Sequence, residues 1–147
     1  NKNGTIMRSG GAYGADHVVT SYATKEEREI YIPWDGFGGL YNTDIGVHLW
    51  SLSSERDNAT KMALNGYHSY RFDKPSHKAL HSRNAMQVLG FDLDDPVDFV
   101  LCWTPGGNKL GGTATAIRIA EDHNVPVYNL GNPETLEWFK NNFLGLN

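Results

Sequence analysis

Apolar residues in this chain come in short bursts that alternate between two spacings. Phe99-Val100-Leu101-Cys102-Trp103 is a continuous run, bounded by Asp98 and by Thr104-Pro105, as expected of a strand buried on both faces. A glycine-rich turn follows. Beyond it Ile117 and Ala120 recur at helical spacing behind a start at Gly112-Thr113. The same pattern predicts further strands over residues 5–8, 29–34 and 127–130. Helices are predicted over 15–23, where Val18, Val19 and Tyr22 make a partly apolar face, and over 54–64, with Ser54 as N-cap and Asn65-Gly66 as its close. Two more span 76–89, capped by Ser76 and stopped by Gly90, and 133–143, opening on Pro133 with Leu136, Phe139 and Phe143 turned inward. Residues 40–75 carry the weakest pattern. Strands alternating with helices predict an α/β fold: a three-layer, Rossmann-like parallel sheet, helices on both faces, wound right-handedly.

That order places four glycine-bearing loops at strand carboxyl ends: Ser9-Gly10-Gly11, Trp34-Asp35-Gly36, Thr104-Pro105-Gly106-Gly107 and Asn129-Leu130-Gly131. Open α/β sheets bind ligands at that edge. A helix N-terminus there offers free N–H groups and the positive end of a dipole, and glycine admits a phosphate closer than a Cβ allows. An ordinary β–α turn also favours glycine, so one such loop decides nothing. Four on one edge point to a phosphate-bearing ligand. The candidate contacts are Ser9, Gly10, Gly11, Ala12 and Gly14 in the first loop, and Thr104, Gly106, Gly107, Gly111, Gly112 and Thr113 in the second.

Length and charge narrow the field. At 147 residues the chain is expected to be one domain, and a net charge of -4 counts against a broad basic face for nucleic acid. No apolar run reaches membrane-spanning length. The single cysteine, Cys102, excludes a disulfide framework, reads as core filling and fits a reducing cytoplasm. The chain opens at Asn1 without a methionine, which suggests trimming or a longer parent protein.

Several side chains add candidate chemistry. Arg83 carries a permanent charge suited to bidentate phosphate binding. Arg8 closes a predicted core strand, where it is expected either to pair with Asp16 or to face the ligand. Asp16 serves either the dipole of its helix or a ribose hydroxyl. Trp34 and Trp103 follow strands at the binding edge and serve either the core or a nucleobase. Asp35 is the nearest candidate general base. His77 and His81 share a helix face but lack a third placed ligand, so neither a metal nor another cofactor is expected. No Walker lysine, G-x-S-x-G elbow or G-x-G-x-x-G fingerprint is present.

Two stretches together resemble a known group. Leu80-His81-Ser82-Arg83-Asn84, ahead of Pro105-Gly106-Gly107 and Gly112-Thr113, resembles the M-H-x-R-K … P-G-G-x-G-T pattern of the LOG family, which cleaves nucleoside monophosphates to base and ribose 5-phosphate. The loop from Arg8 to Asp16 is similar to the S-G-G-A-x-G-x-D loop of the DprA family, which loads recombinase onto single-stranded DNA. Both belong to the SLOG group of Rossmann-like domains. The chain looks most like its small single-domain phage and bacterial members. The resemblance implies a homo-oligomer that binds a nucleotide or ADP-ribose-like molecule, sensing or sequestering it, through Arg8, Trp34, Arg83, Asn84 and the two loops. A LOG-type N-glycosidase using Arg83 with Asp35 or Asp16 is the first alternative, and DprA-like single-stranded DNA binding, disfavoured by the net charge, is the second. Relatives of this kind begin with a further strand and helix that have no equivalent here, so the sheet is expected to lack a strand. Thr115 and Ala116 stand where LOG enzymes carry a glutamate pair.

Overall fold

Two short parallel sheets lie against a layer of helices. The computed structural model describes residues 5–12, 16, 21–65, 74–109, 111–143 and 145. Strands β1 (Met7–Ser9), β2 (Arg28–Ile32) and β3 (Val47–Leu49) form one sheet in that order, with Met7 beside Arg28 and Ile30 beside Val47. Strands β4 (Val100–Cys102) and β5 (Val127–Asn129) form the other, with Leu101 beside Tyr128. The helices are α1 (Arg56–Leu64), α2 (Pro75–Leu89), α3 (Gly111–Asp122) and α4 (Pro133–Asn142). The α/β class and the parallel pairing are as expected. A single continuous sheet is not formed among the described residues, where the strands divide three and two. Strand β3 arises in the weakly patterned stretch. The helix expected over 15–23 lies largely outside the described residues, as does Gly66.

Alternation along β2 decides where the core sits. Tyr31 faces the helices and packs with Ala85, Met86 and Leu89 of α2, Ala59 of α1 and Ile119 of α3. Ile30 and Ile32 face the other way, toward Val47, Phe37, Leu40 and Leu49. A strand apolar on both faces is the mark of a parallel sheet covered on both sides. Helix α2 packs between α1 and α3, so one helical layer spans both sheets. No helix among the described residues is long and apolar enough to cross a membrane.

The element ends follow local chemistry. Pro75, not a capped Ser76, opens α2, since proline lacks the N–H that a first turn leaves unused. Gly90 ends it at φ 86°, its N–H bonded to the Met86 carbonyl. Ser53 rather than Ser54 prepares α1: its hydroxyl accepts from Glu55 N at 3.0 Å and donates to the Phe91 carbonyl at 2.6 Å. Asn132 caps α4 through Glu134 N and Thr135 N. Phe139 is buried as expected, whereas Phe143 stays about half exposed and packs on Phe99 and Tyr128.

A polar network ties the sheet to the turn ahead of β4. Glu29 Oε2 accepts from Arg8 Nε and from the Tyr31 hydroxyl, both at 2.8 Å. Arg8 also donates to the Asp95 carboxylate at 2.7 Å and carbonyl at 2.6 Å. Arg8 thus pairs with Glu29 and Asp95, and not with Asp16. Burial, then the Glu29 carboxylate, pushes the Tyr31 hydroxyl well above its ordinary pKa. Burial alone would lower the Arg8 pKa, but the hydrogen bond and charge of Glu29 outweigh it and raise the value. The Arg8 side chain retains 9% of its exposure, Glu29 30% and Asp95 75%. Glu29→Gln is therefore expected to cost about 2 kcal/mol in urea unfolding, against less than about 1 kcal/mol for Asp95→Asn.

Candidate functional site

The middle of α2 is buried around its whole circumference, from Ser82 through Met86. Sheet, neighbouring helices and loops enclose it together. Arg83 therefore enters the interior with a charge that must find hydrogen bonds. Its Nη1 donates to the carbonyls of Gly10 and of Tyr31, the latter at 3.2 Å, and its Nε donates to Leu80 at 3.2 Å. The guanidinium carbon lies 5.3 Å from the centre of the Phe37 ring, within cation–π range. Burial pushes its pKa down to about 10, opposed by the charge of Asp16, so it remains a cation at neutral pH.

The next residue makes the second connection. Asn84 Nδ2 donates to the Gly112 carbonyl at 3.0 Å, in the first turn of α3. One turn of α2 thus holds the loop after β1 through Arg83 and the helix after β4 through Asn84. The loop after β4 is fixed further by Asn129, at the end of β5. Its Oδ1 accepts from Thr104 N and Gly131 N, both at 3.1 Å, and its Nδ2 donates to Thr104 Oγ1 at 2.7 Å. The turn Pro105–Gly107 closes with Gly107 N on the Thr104 carbonyl at 3.0 Å. Gly106 lies in the left-handed region at φ 63°, and a Cβ on Gly131 would strike the Thr104 carbonyl. The sequence places Asn129 in a predicted strand and at its loop end, without a role of its own. Its signal is a side-chain amide at a strand end, two residues ahead of a glycine.

The predicted contacts separate into enclosed and open groups. Ser9, Gly10 and Gly11 are buried. The Arg83 guanidinium fills the space a Gly10 side chain would take, and Gly38 packs on the Gly11 carbonyl. Ala12 N donates to Asp16 Oδ2 at 3.3 Å, and the charge of that carboxylate also acts on Arg83. Gly14 lies outside the described residues. Thr104 and Asn84 are buried, Gly107 and Thr113 are half-buried, and Gly106 and Gly112 are exposed. Asp35 is exposed and accepts from Asn42 N at 2.9 Å, with no bond to Arg83. Trp34 stands edge-on to Phe37 at 5.3 Å. Cys102 is half-buried, and burial pushes its thiol pKa up.

No family model, curated protein or solved structure matches this chain. Among the described residues no three His, Cys, Asp or Glu side chains gather as a metal would require. His81 Nδ1 instead lies 2.8 Å from Thr115 Oγ1, bridging α2 and α3.

The glycines of the two loops should respond differently to a methyl group. A Cβ on Gly10 collides with the Arg83 guanidinium, whereas one on Gly112 finds only Asn84 Nδ2 at 4.0 Å. Gly10→Ala is expected to lower thermal stability by about 2 kcal/mol or more, by displacing a buried cation. Gly112→Ala, placed in a helix, should leave it unchanged or raise it by up to about 1 kcal/mol. Thermal unfolding of the two variants measures the contrast.

Proposed function

We propose that the protein binds a nucleotide or ADP-ribose-like ligand, with a phosphate at the N-terminus of α3 between the Thr104–Gly107 turn and Asn84. The reading is carried by one observation: consecutive residues of α2 hold both glycine loops, Arg83 through Gly10 and Asn84 through Gly112. Strands run β1-β2-β3 in one sheet and β4-β5 in the other. Taken as halves of one Rossmann-like sheet with β1 next to β4, the strand order would run outward in opposite senses from that pair. That reversal is the switch point at which such folds receive ligands. The opening N–H groups of α3 supply donors without desolvating a side chain, and the positive end of its dipole favours an anion. Arg83, committed to backbone carbonyls, contributes charge from behind the loop.

Sensing or sequestration fits these residues better than turnover. Asp35 points into its own loop, and Thr115, where LOG enzymes carry a glutamate, is buried in contact with His81. Neither is joined to Arg83 by a hydrogen bond or an ion pair.

The test is a thermal-shift screen with AMP, ADP, ATP, NAD, ADP-ribose and cyclic nucleotides, run on the protein and on Gly112→Pro. Proline is tolerated in a first helical turn but removes an N–H from it. At a hundredfold its dissociation constant a ligand stabilises by about 2.7 kcal/mol, a shift of roughly 6–10 °C for a domain of this size. One nucleotide class is expected to produce that shift and Gly112→Pro to abolish it. An equal shift in Gly112→Pro, or none with any nucleotide, would overturn the proposal.

A further inference from the structure

Trp103 is 63% exposed, at the carboxyl end of β4. Along that strand Val100 packs into the helix-side core, while Leu101 and Trp103 leave their surfaces in solvent. At the start of the same face Phe143, just past α4, meets Phe99 at 5.6 Å, and Trp138 of α4 stacks on Tyr128. Among the described residues the Trp103 indole has neither a ring partner nor a hydrogen bond. The backbone beneath it is fixed, because the next residue, Thr104, is buried and held at both its N–H and its hydroxyl by Asn129. Trp34, the other exposed indole at a strand end, is occupied edge-on by Phe37.

A flat, solvent-facing ring on a fixed backbone, one residue ahead of the turn that leads to α3, has the form of a stacking platform. We infer that Trp103 receives the nucleobase of the ligand, so that the site selects base-bearing nucleotides over bare sugar phosphates. This rests on the phosphate site proposed at α3. It adds what that site lacks, since helix N–H groups recognise an anion whatever is attached to it. An aromatic face recognises any base by its π-surface, without hydrogen-bond readout. The selected class is therefore nucleotides in general, with purines ahead of pyrimidines through their larger stacking area.

Calorimetric titration with AMP and with ribose 5-phosphate separates the two parts. The protein is expected to bind AMP more tightly than ribose 5-phosphate. Trp103→Ala should weaken AMP by about 10- to 100-fold and leave ribose 5-phosphate unchanged, which also reports that the variant is folded. Trp103→Phe should return AMP binding to within a few-fold. Equal affinity for the two ligands, or a parallel loss of both in Trp103→Ala, would overturn the stacking role while leaving the phosphate site standing. Failure of the unaltered protein to bind either ligand would overturn both.

Discussion

A guanidinium taken out of water must recover its hydrogen bonds from the protein, and at Arg83 that requirement shapes everything nearby. Three backbone carbonyls answer it: Gly10 from the loop after β1, Tyr31 from β2, and Leu80 from the preceding turn of α2. Carbonyls carry partial charge and need no counter-ion of their own, and the nearby Asp16 charge adds to what they supply. The geometry has a consequence for sequence. The loop backbone must approach the guanidinium so closely that position 10 has no room for a Cβ. Phe37 then closes the other side, and the loop after β2 is drawn over the loop after β1. Helix α2, β1, β2 and two loops are placed by one side chain.

With the sheet divided, the two strand sets are joined by other means. Helix α2 packs on β1 and β2, α3 packs on β4 and β5, and the two helices pack on each other. At the level of the strands, Arg8 on β1 reaches the Asp95 carboxylate and carbonyl, in the turn ahead of β4. Parallel strands depend on such coverage because their connections run over the faces of the sheet. Continuity here belongs to the helical layer and to a charged tether.

Much of the fold was legible because it is written locally. The apolar centres of β2, β4 and β5 announce themselves, and Gly90 and Pro133 mark helix ends by their own backbone chemistry. Strand β3 did not. It is three residues long, and only its pairing with Ile30 and Ile32 makes it a strand. The site residues were legible as types and not as partners. Arg8 and Asp95 lie 87 residues apart in the chain, and nothing near Arg8 indicates that Asp95 rather than Asp16 will hold it. Arg83 reads in sequence as a phosphate ligand, and only the packing of α2 shows that backbone carbonyls occupy its guanidinium. Asn129 gains its importance from Thr104 and Gly131, both brought to it by the β4–β5 pairing.

The two glycine loops look alike in sequence and serve opposite needs. At Gly10 and Gly11 the missing side chains make room for other parts of the protein, the Arg83 guanidinium and the side chains of Leu40 and Ile30. Gly106 and Gly112 are exposed, and Gly112 stands in the opening turn of a helix with open space where a Cβ would be. In the proposed site an anion would be received at the opening turn of α3, whereas the first loop is filled by the Arg83 guanidinium. The buried cation would still act on that anion. An arginine that touches no ligand would thus add attraction for an anion in the site proposed in front of it, because its charge is screened less by the interior than by water.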